Sequence, residues 1–187
     1  MNKNRCKWCL GNDLYIEYHD KEWGVPVHDD KTHFEFLVLE SAQAGLSWLT
    51  ILKRRENYRR LYDDFDVEKV SQYDEKRIEM MMNDAGIIRN RKKIESSISN
   101  AKHFLEIVDE FGSFDKYIWG FTEGKVIVNK FKFLSEMPTN TVLSDKITKD
   151  LKKRGFRFLG TTIMYAHLQS IGVINDHMVD CFRYKQV

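Results

Sequence analysis

Along almost the whole chain, apolar residues recur at intervals of three and four. Each such run is preceded by a side chain able to cap a helix, and several end at a glycine. That spacing belongs to amphipathic helices rather than to half-buried strands. Asp13 is expected to cap a short helix through Lys21. Asp29 or Asp30 caps the next, with Phe34, Leu37, Val38 and Ser41 on one stripe and Gly45 at its end. Ser47 opens a helix over Trp48 to Leu61, and Asp66 and Asp74 open two more. Ile78, Met81, Met82 and Ala85 form an apolar face before Gly86. A longer helix is expected from Asn90 to Val108, with Ile94, Ile98, Ala101 and Leu105 inward. Ser113 starts a short aromatic helix, Phe114 to Phe121, and Lys125 to Leu134 reads as irregular or briefly extended. Ser144 caps Asp145 to Arg154, Gly155 to Gly160 form a tight hairpin, and Thr161 caps a helix ended by Gly172. Asn175 is expected to cap a last helix, Asp176 to Arg183. Only Pro26 and Pro138 could interrupt this succession. The expected fold class is all-α.

A chain of 187 residues with no repeat and no linker-like tract is expected to form one domain spanning 1–187, or one domain of two helical lobes. Its net charge of +2 says little about partners, so the local distribution matters more. Lys146 to Arg157 holds six basic residues against Asp150, and Lys53 to Arg60 holds five against Glu56. Arg89, Arg91, Lys92 and Lys93 form a third group. Each run fits either a solvated helix face or a track for a phosphate backbone. Three cysteines, and a polar, basic stretch from Met1 to Cys9, argue against a secreted disulfide scaffold with an apolar leader. With no apolar run long enough to span a bilayer, a cytoplasmic location is the default expectation.

Three constellations carry chemistry. His177 and Cys181 are four residues apart, so on the expected last helix they would share one face within reach of one metal. The N-terminal segment offers Cys6, Cys9 and His19, a donor set that suits zinc. Spacing alone leaves both metal binding and coincidence open. Cys6 and Cys9 also read as a redox Cys-x-x-Cys, but the strand-then-helix context of such a motif is missing. The second constellation is the hairpin at Gly155 to Gly160, with Lys152, Lys153, Arg154 and Arg157 around it. The amides of Thr161 and Thr162 there begin the next helix, a favourable place for an anion. The alternative is an ordinary helical hairpin. The third is aromatic. Tyr15 and Tyr18, one turn apart, fall with Trp23 and Trp48 near the apolar run that contains Glu40. Rings with one acid suit a flat, cationic, nitrogen-rich ligand. Equally, the rings could be core, with Glu40 paired to an arginine or a helix N-terminus.

Several longer motifs resemble the DNA-3-methyladenine glycosylase I family. They are Arg5-Cys6-Lys7-Trp8, Tyr15 to Pro26, Leu39 to Trp48 with Lys53 to Tyr58, and Asp84 to Arg89. Lys152 to Phe158, Gly160-Thr161-Thr162 and Asn175-Asp176-His177 complete the set. The resemblance runs from Arg5 to about Cys181. It implies a helix-hairpin-helix glycosylase fold whose chain ends are stapled by a structural zinc on Cys6, His19, His177 and Cys181. Cys9 departs from the family pattern and could compete with Cys6. The resemblance also implies a monofunctional enzyme that would hydrolyse the N-glycosidic bond of 3-methyladenine in alkylated double-stranded DNA, leaving an abasic site. Glu40 would recognise the base and stabilise its charge, between Tyr15, Tyr18, Trp23 and Trp48. Gly155, Arg157, Gly160 and Thr161 would meet phosphate. A monomer is the default expectation. Asp176, in the region where wider relatives carry a catalytic aspartate, is expected to cap a helix instead. Two rivals remain at this point. A non-catalytic zinc protein that binds nucleic acid would not need Glu40 with its rings. A zinc hydrolase would need an open coordination position.

Overall fold

The computed structural model describes residues 3–187; Met1 and Asn2, the first residues of the polar N-terminal stretch, lie outside it. Among the described residues ten α-helices follow one another. They are α1 (Asp13–Lys21), α2 (Asp30–Gln43), α3 (Trp48–Leu52), α4 (Arg55–Leu61), α5 (Val67–Ser71), α6 (Glu75–Met82), α7 (Arg91–Phe111), α8 (Phe114–Gly120), α9 (Val142–Lys153) and α10 (Thr161–Ser170). Two short strands, β1 (Ile127–Val128) and β2 (Ile174–Asn175), pair in parallel, Ile127 opposite Ile174 and Val128 opposite Asn175.

Capping residues start many of these helices. The side chains of Asp29, Ser47, Asp66, Asp74, Asn90 and Ser113 each accept a hydrogen bond from the first-turn backbone of the helix they precede. Three starts differ from expectation. Asn12 rather than Asp13 caps α1, and Thr141 rather than Ser144 caps α9, where Thr141 and Ser144 bond reciprocally. Thr161 does not cap α10: it is the first residue of that helix, after Gly160, and its hydroxyl is turned to Ser144 and Asp145.

At the centre lies α2. Every residue from His33 to Ala42 is buried, so this stretch of the helix has no solvent face. It packs against α10, α7, α3 and α8. Beside it the Phe104 ring on α7 stacks on Phe114 of α8 at 4.3 Å, and Phe34 of α2 meets Phe104 edge-on at 5.5 Å. Such ring pairs add roughly 0.5–1.5 kcal/mol beyond their area burial.

Two expected helices are remodelled by contacts distant in sequence. The run Trp48 to Leu61 breaks at Lys53 and Arg54 into α3 and α4. Arg54 donates its amide to Ile51, a tighter turn than the α-helical one. After the break Arg55 and Arg59, four apart on one face, both reach Glu35 of α2. The expected helix Asp176 to Arg183 does not form. The Val179 amide donates to Phe131 and the Phe182 amide to Asn4, so the helical ladder loses its donors to other segments. Asn175 bonds the His177 amide but spends its own amide group on the carbonyls of Tyr184 and Val187.

The segment after α1 straps the end of α10. Gly24 and Val27 donate their amides to Gln169 and Ile171, satisfying carbonyls that the helix end leaves free. Gly172 makes this close approach possible. Its φ is +73°, and a β-carbon there would sit 2.4 Å from the Pro26 nitrogen. Gly172→Ala is therefore expected to lower unfolding free energy by roughly 2–4 kcal/mol, read from urea unfolding curves. A loss below about 1 kcal/mol would show that the strap yields easily.

Candidate functional site

Rings from four parts of the chain converge on one cavity. Trp8 comes from the turn Lys7–Cys9, Tyr15 and Tyr18 from α1, Trp23 from the strap, and Trp48 from the start of α3. With Glu40 and Gln43 of α2 and Gln169 and Ser170 of α10 they line a space of about 240 Å³. The pocket is smaller than the clefts that take drug-sized ligands and suits one flat ring system. All five aromatic and acidic residues singled out in the sequence therefore meet here. Trp8, Gln43, Gln169 and Ser170 were not anticipated. Gln43 could have been, since it lies one helical turn beyond Glu40.

The rings are held rigidly. Tyr15 accepts the Leu49 amide on its hydroxyl, and Tyr18 donates its hydroxyl to Ser170, which donates onward to Ala166. Trp48 lies 5.5 Å from Tyr18, tilted by 55°. Trp8 stands edge-on to Tyr15 and to Trp23. The Trp48 indole nitrogen is buried without a partner.

Two carboxylates on α2 have opposite circumstances. Glu35 is bonded by Arg55 and Arg59. Glu40 is 2% exposed and neither oxygen has a hydrogen-bond partner. The Tyr18 hydroxyl donates its hydrogen bond to Ser170, and the Ser170 hydroxyl donates its own to the Ala166 carbonyl. The nearest basic group, His167 Nδ1, is 3.8 Å from Glu40. Burial drives the pKa of His167 down to about 3, so it is neutral and supplies no counter-charge. Burial also pushes the Glu40 carboxyl well above the usual carboxylate range. The arginine pairing open to Glu40 on sequence grounds goes to Glu35 instead.

A second cluster closes the chain ends. Cys6, His19, His177 and Cys181 are all buried, and their ligand atoms lie within 4.8 Å of one another. Cys6 Sγ is 3.7 Å from His177 Nδ1, and Cys181 Sγ is 3.6 Å from that atom and 3.4 Å from His19 Nε2. Tetrahedral zinc, with bonds of about 2.3 Å to sulfur and about 2.0–2.1 Å to nitrogen, would space sulfur and nitrogen by about 3.6 Å. The donor set thus fits a metal ion. The outer imidazole nitrogens are also engaged: His19 Nδ1 lies 2.9 Å from Asp20, itself gripped by Arg5, and His177 Nε2 lies 3.0 Å from the Trp23 carbonyl. Cys9 stands apart, its thiol on the Cys6 carbonyl. His177 and Cys181 reach the cluster from irregular backbone, not from one helix face.

The methyladenine glycosylase family matches residues 8–184. This chain belongs to that family. It is 48% identical over 180 residues to the DNA-3-methyladenine glycosylase 1 of Escherichia coli (strain K12), covering 96% of each. A crystal structure of a 3-methyladenine DNA glycosylase I superposes with a TM-score of 0.93 at 45% identity, over 96% of this chain and 98% of that one. A single-site variant of such an enzyme in complex with 3-methyladenine superposes with a TM-score of 0.92 at 37% identity, covering 96% of each chain. The all-α glycosylase fold expected from the sequence is the fold observed.

In this methyladenine glycosylase family member the hairpin between α9 and α10 is clamped from below. Asn100 of α7 donates to the Arg157 carbonyl at 2.9 Å and accepts the Arg157 amide at 2.8 Å. Gly155 turns with φ +99° against His103, so it shapes the turn and its α-carbon faces protein. Gly160 faces open space, while the Thr161 hydroxyl is bonded to Asp145 and Ser144. Elsewhere much of the clustered positive charge is already matched: Arg55, Arg59 and Arg60 pair with acids, as do Arg91 and Arg154. Asp176 caps nothing. It is buried and accepts from Tyr165, Gln169 and Asn129.

The raised Glu40 pKa has a thermodynamic signature. A carboxyl that stays protonated in the fold contributes stability that is fully present below its unfolded pKa of about 4.3 and is lost as pH rises toward its folded value. Glu40→Gln removes that dependence. Relative to wild type, the variant should gain about 1.4 kcal/mol per pH unit above about pH 4.5, until the folded pKa is passed. Urea unfolding at pH 5 and pH 8 measures this. A constant difference between the two proteins would mean that Glu40 titrates normally.

Proposed function

We propose that this chain is a monofunctional DNA glycosylase that hydrolyses the N-glycosidic bond of 3-methyladenine in alkylated double-stranded DNA, releasing the base and leaving an abasic site. The observation that carries this reading is the unpartnered carboxyl of Glu40 in a pocket walled by rings. The reaction requires the nucleotide to leave the duplex, because the bond to be cut is inaccessible within the stack. Once extruded, the methylated purine is a flat cation. Tyr18 and Trp48 stack on it, Tyr15 and Trp23 complete the walls, and Glu40 accepts hydrogen bonds from its edge.

The charge state of Glu40 supports this discrimination. In the free pocket burial favours the neutral carboxyl. A cationic base supplies the missing counter-charge and favours the ionised form of Glu40, whose proton passes to solvent on binding. Neutral adenine offers no such gain. The same positive charge weakens the bond to the sugar, so the leaving group needs little acid assistance. Water then attacks an oxocarbenium-like sugar, as in other glycoside cleavages. The lining residues include no lysine to form a Schiff base, in keeping with base release without strand cleavage.

The Cys6, His19, His177 and Cys181 cluster is read as a structural zinc site. Four protein ligands leave no position for an activated water, so the ion would staple the two ends of the chain. The fold is read as one domain of two helical lobes around the base-binding cleft, acting as a cytoplasmic monomer. The hairpin would grip phosphate through the exposed Arg157 and the backbone at Gly160 and Thr161, with Gly155 shaping the turn.

Incubation with methylated duplex DNA should release free 3-methyladenine, detected by chromatography. Glu40→Gln should lower the excision rate by about 10- to 100-fold, the worth of a charge-assisted hydrogen bond to the cationic base. Unchanged excision and affinity would remove Glu40 from this role. Metal analysis should find one zinc per chain, and Cys181→Ser should lose it and lower Tm. A zinc-free protein with an unaltered Tm would refute the staple.

A further inference from the structure

A groove of about 700 Å³ opens beside the aromatic pocket, and the two share Trp8 and Leu134. One wall is the N-terminal segment with Lys3, Arg5 and Lys7; the other is the loop that carries Lys132 and Phe133. Four cations thus line it against the single acid Asp180. Arg5 is committed to Asp20. The ammonium groups of Lys3, Lys7 and Lys132 make no ion pair among the described residues, in contrast to the arginines of α4 and α7. Lys3 instead lies 4.5 Å over the Phe182 ring. At the edge of the groove Phe133 and Leu134 are 64% and 52% exposed, although both are large apolar side chains.

A nucleotide seated in the pocket stays joined to its neighbours through two phosphates. The strand must therefore leave the pocket mouth over whatever surface adjoins it, and the groove is such a surface. Its unpaired lysines complement phosphate, and its exposed apolar edge complements a sugar or the face of an unstacked base. We infer that this groove carries the strand on one side of the extruded nucleotide, with Lys3, Lys7 and Lys132 meeting phosphates and Phe133 packing on the nucleotide that follows. The inference rests on the reading of the aromatic pocket as the base site.

The test compares two triple variants with wild type. One combines Lys3→Ala, Lys7→Ala and Lys132→Ala. The other removes equal charge elsewhere through Lys76→Ala, Lys102→Ala and Lys116→Ala. Binding to a duplex with a non-hydrolysable abasic analogue is followed by fluorescence anisotropy across a salt series. Affinity for free 3-methyladenine is followed by tryptophan quenching. The groove variant should bind duplex about tenfold or more weakly near 0.1 M salt, and its log–log salt slope should fall in magnitude by about 2 to 3. Its affinity for the free base should match wild type. The control variant should keep the wild-type slope, and Phe133→Ala should weaken duplex binding about fivefold or more without changing the slope. A wild-type slope in the groove variant, or an equal loss in the control, overturns the inference and leaves the pocket reading standing. Failure of the wild-type protein to bind free 3-methyladenine overturns the pocket reading, and the inference with it.

Discussion

A carboxyl group without a counter-charge sits in the middle of this molecule, and the surrounding structure keeps it that way. An ionised carboxylate sealed from water and unpaired would cost several kcal/mol. Burial accordingly pushes the Glu40 carboxyl well above the usual carboxylate range, toward its neutral form. The nearby arginines and the Tyr18 hydroxyl are engaged elsewhere, and the nearest imidazole is uncharged. Arg55 and Arg59 serve Glu35, Tyr18 serves Ser170, and His167 is too deeply buried to become charged. This is an expensive place for an acid, set in the stretch of α2 that is buried throughout from His33 to Ala42. Structural stability gives no reason for it; in the proposed reading, recognition of a positively charged ring does.

The two special clusters are physically joined. Trp23 lines the pocket, lies 6.1 Å from His19 in a stacked geometry, and gives its carbonyl to His177. Trp8 follows Cys6 by two residues and packs on Tyr15, Trp23 and His19. The pocket wall is thus built on the same short segment that supplies ligands to the chain-end cluster. Closing that cluster would hold the aromatic wall in place, a positional role that requires no chemistry at the ion.

Much of this was legible in the amino-acid pattern because it is local. Helical periods and capping side chains located most helices to within a few residues, and Asp29, Ser47, Asp66, Asp74, Asn90 and Ser113 cap as their types suggest. What was not legible depends on partners far along the chain. The stretch 176–183 has a helical appearance, yet Phe131 and Asn4 capture its amides. Trp48 to Leu61 has a continuous period, yet Glu35 turns its second half. Spacing left Glu40 free to be paired or unpaired, and only the assembled core shows that the arginines stop at Glu35. Trp8 and Gln169 entered the pocket from opposite ends of the chain, a juxtaposition no local period encodes.

The clamp of Asn100 on Arg157 has a consequence for how such a protein would search DNA. It fastens the hairpin to α7, and α7 packs directly on α2, which bears Glu40. No loose joint separates the hairpin from the acid. In the proposed reading, a duplex held at the hairpin is offered to the cavity at one set depth and angle, like timber run along a fence to a blade. Accommodation must then come from the nucleic acid. Softer sites, where pairing or stacking is already weakened, would be sampled ahead of sound ones before any ring is inspected.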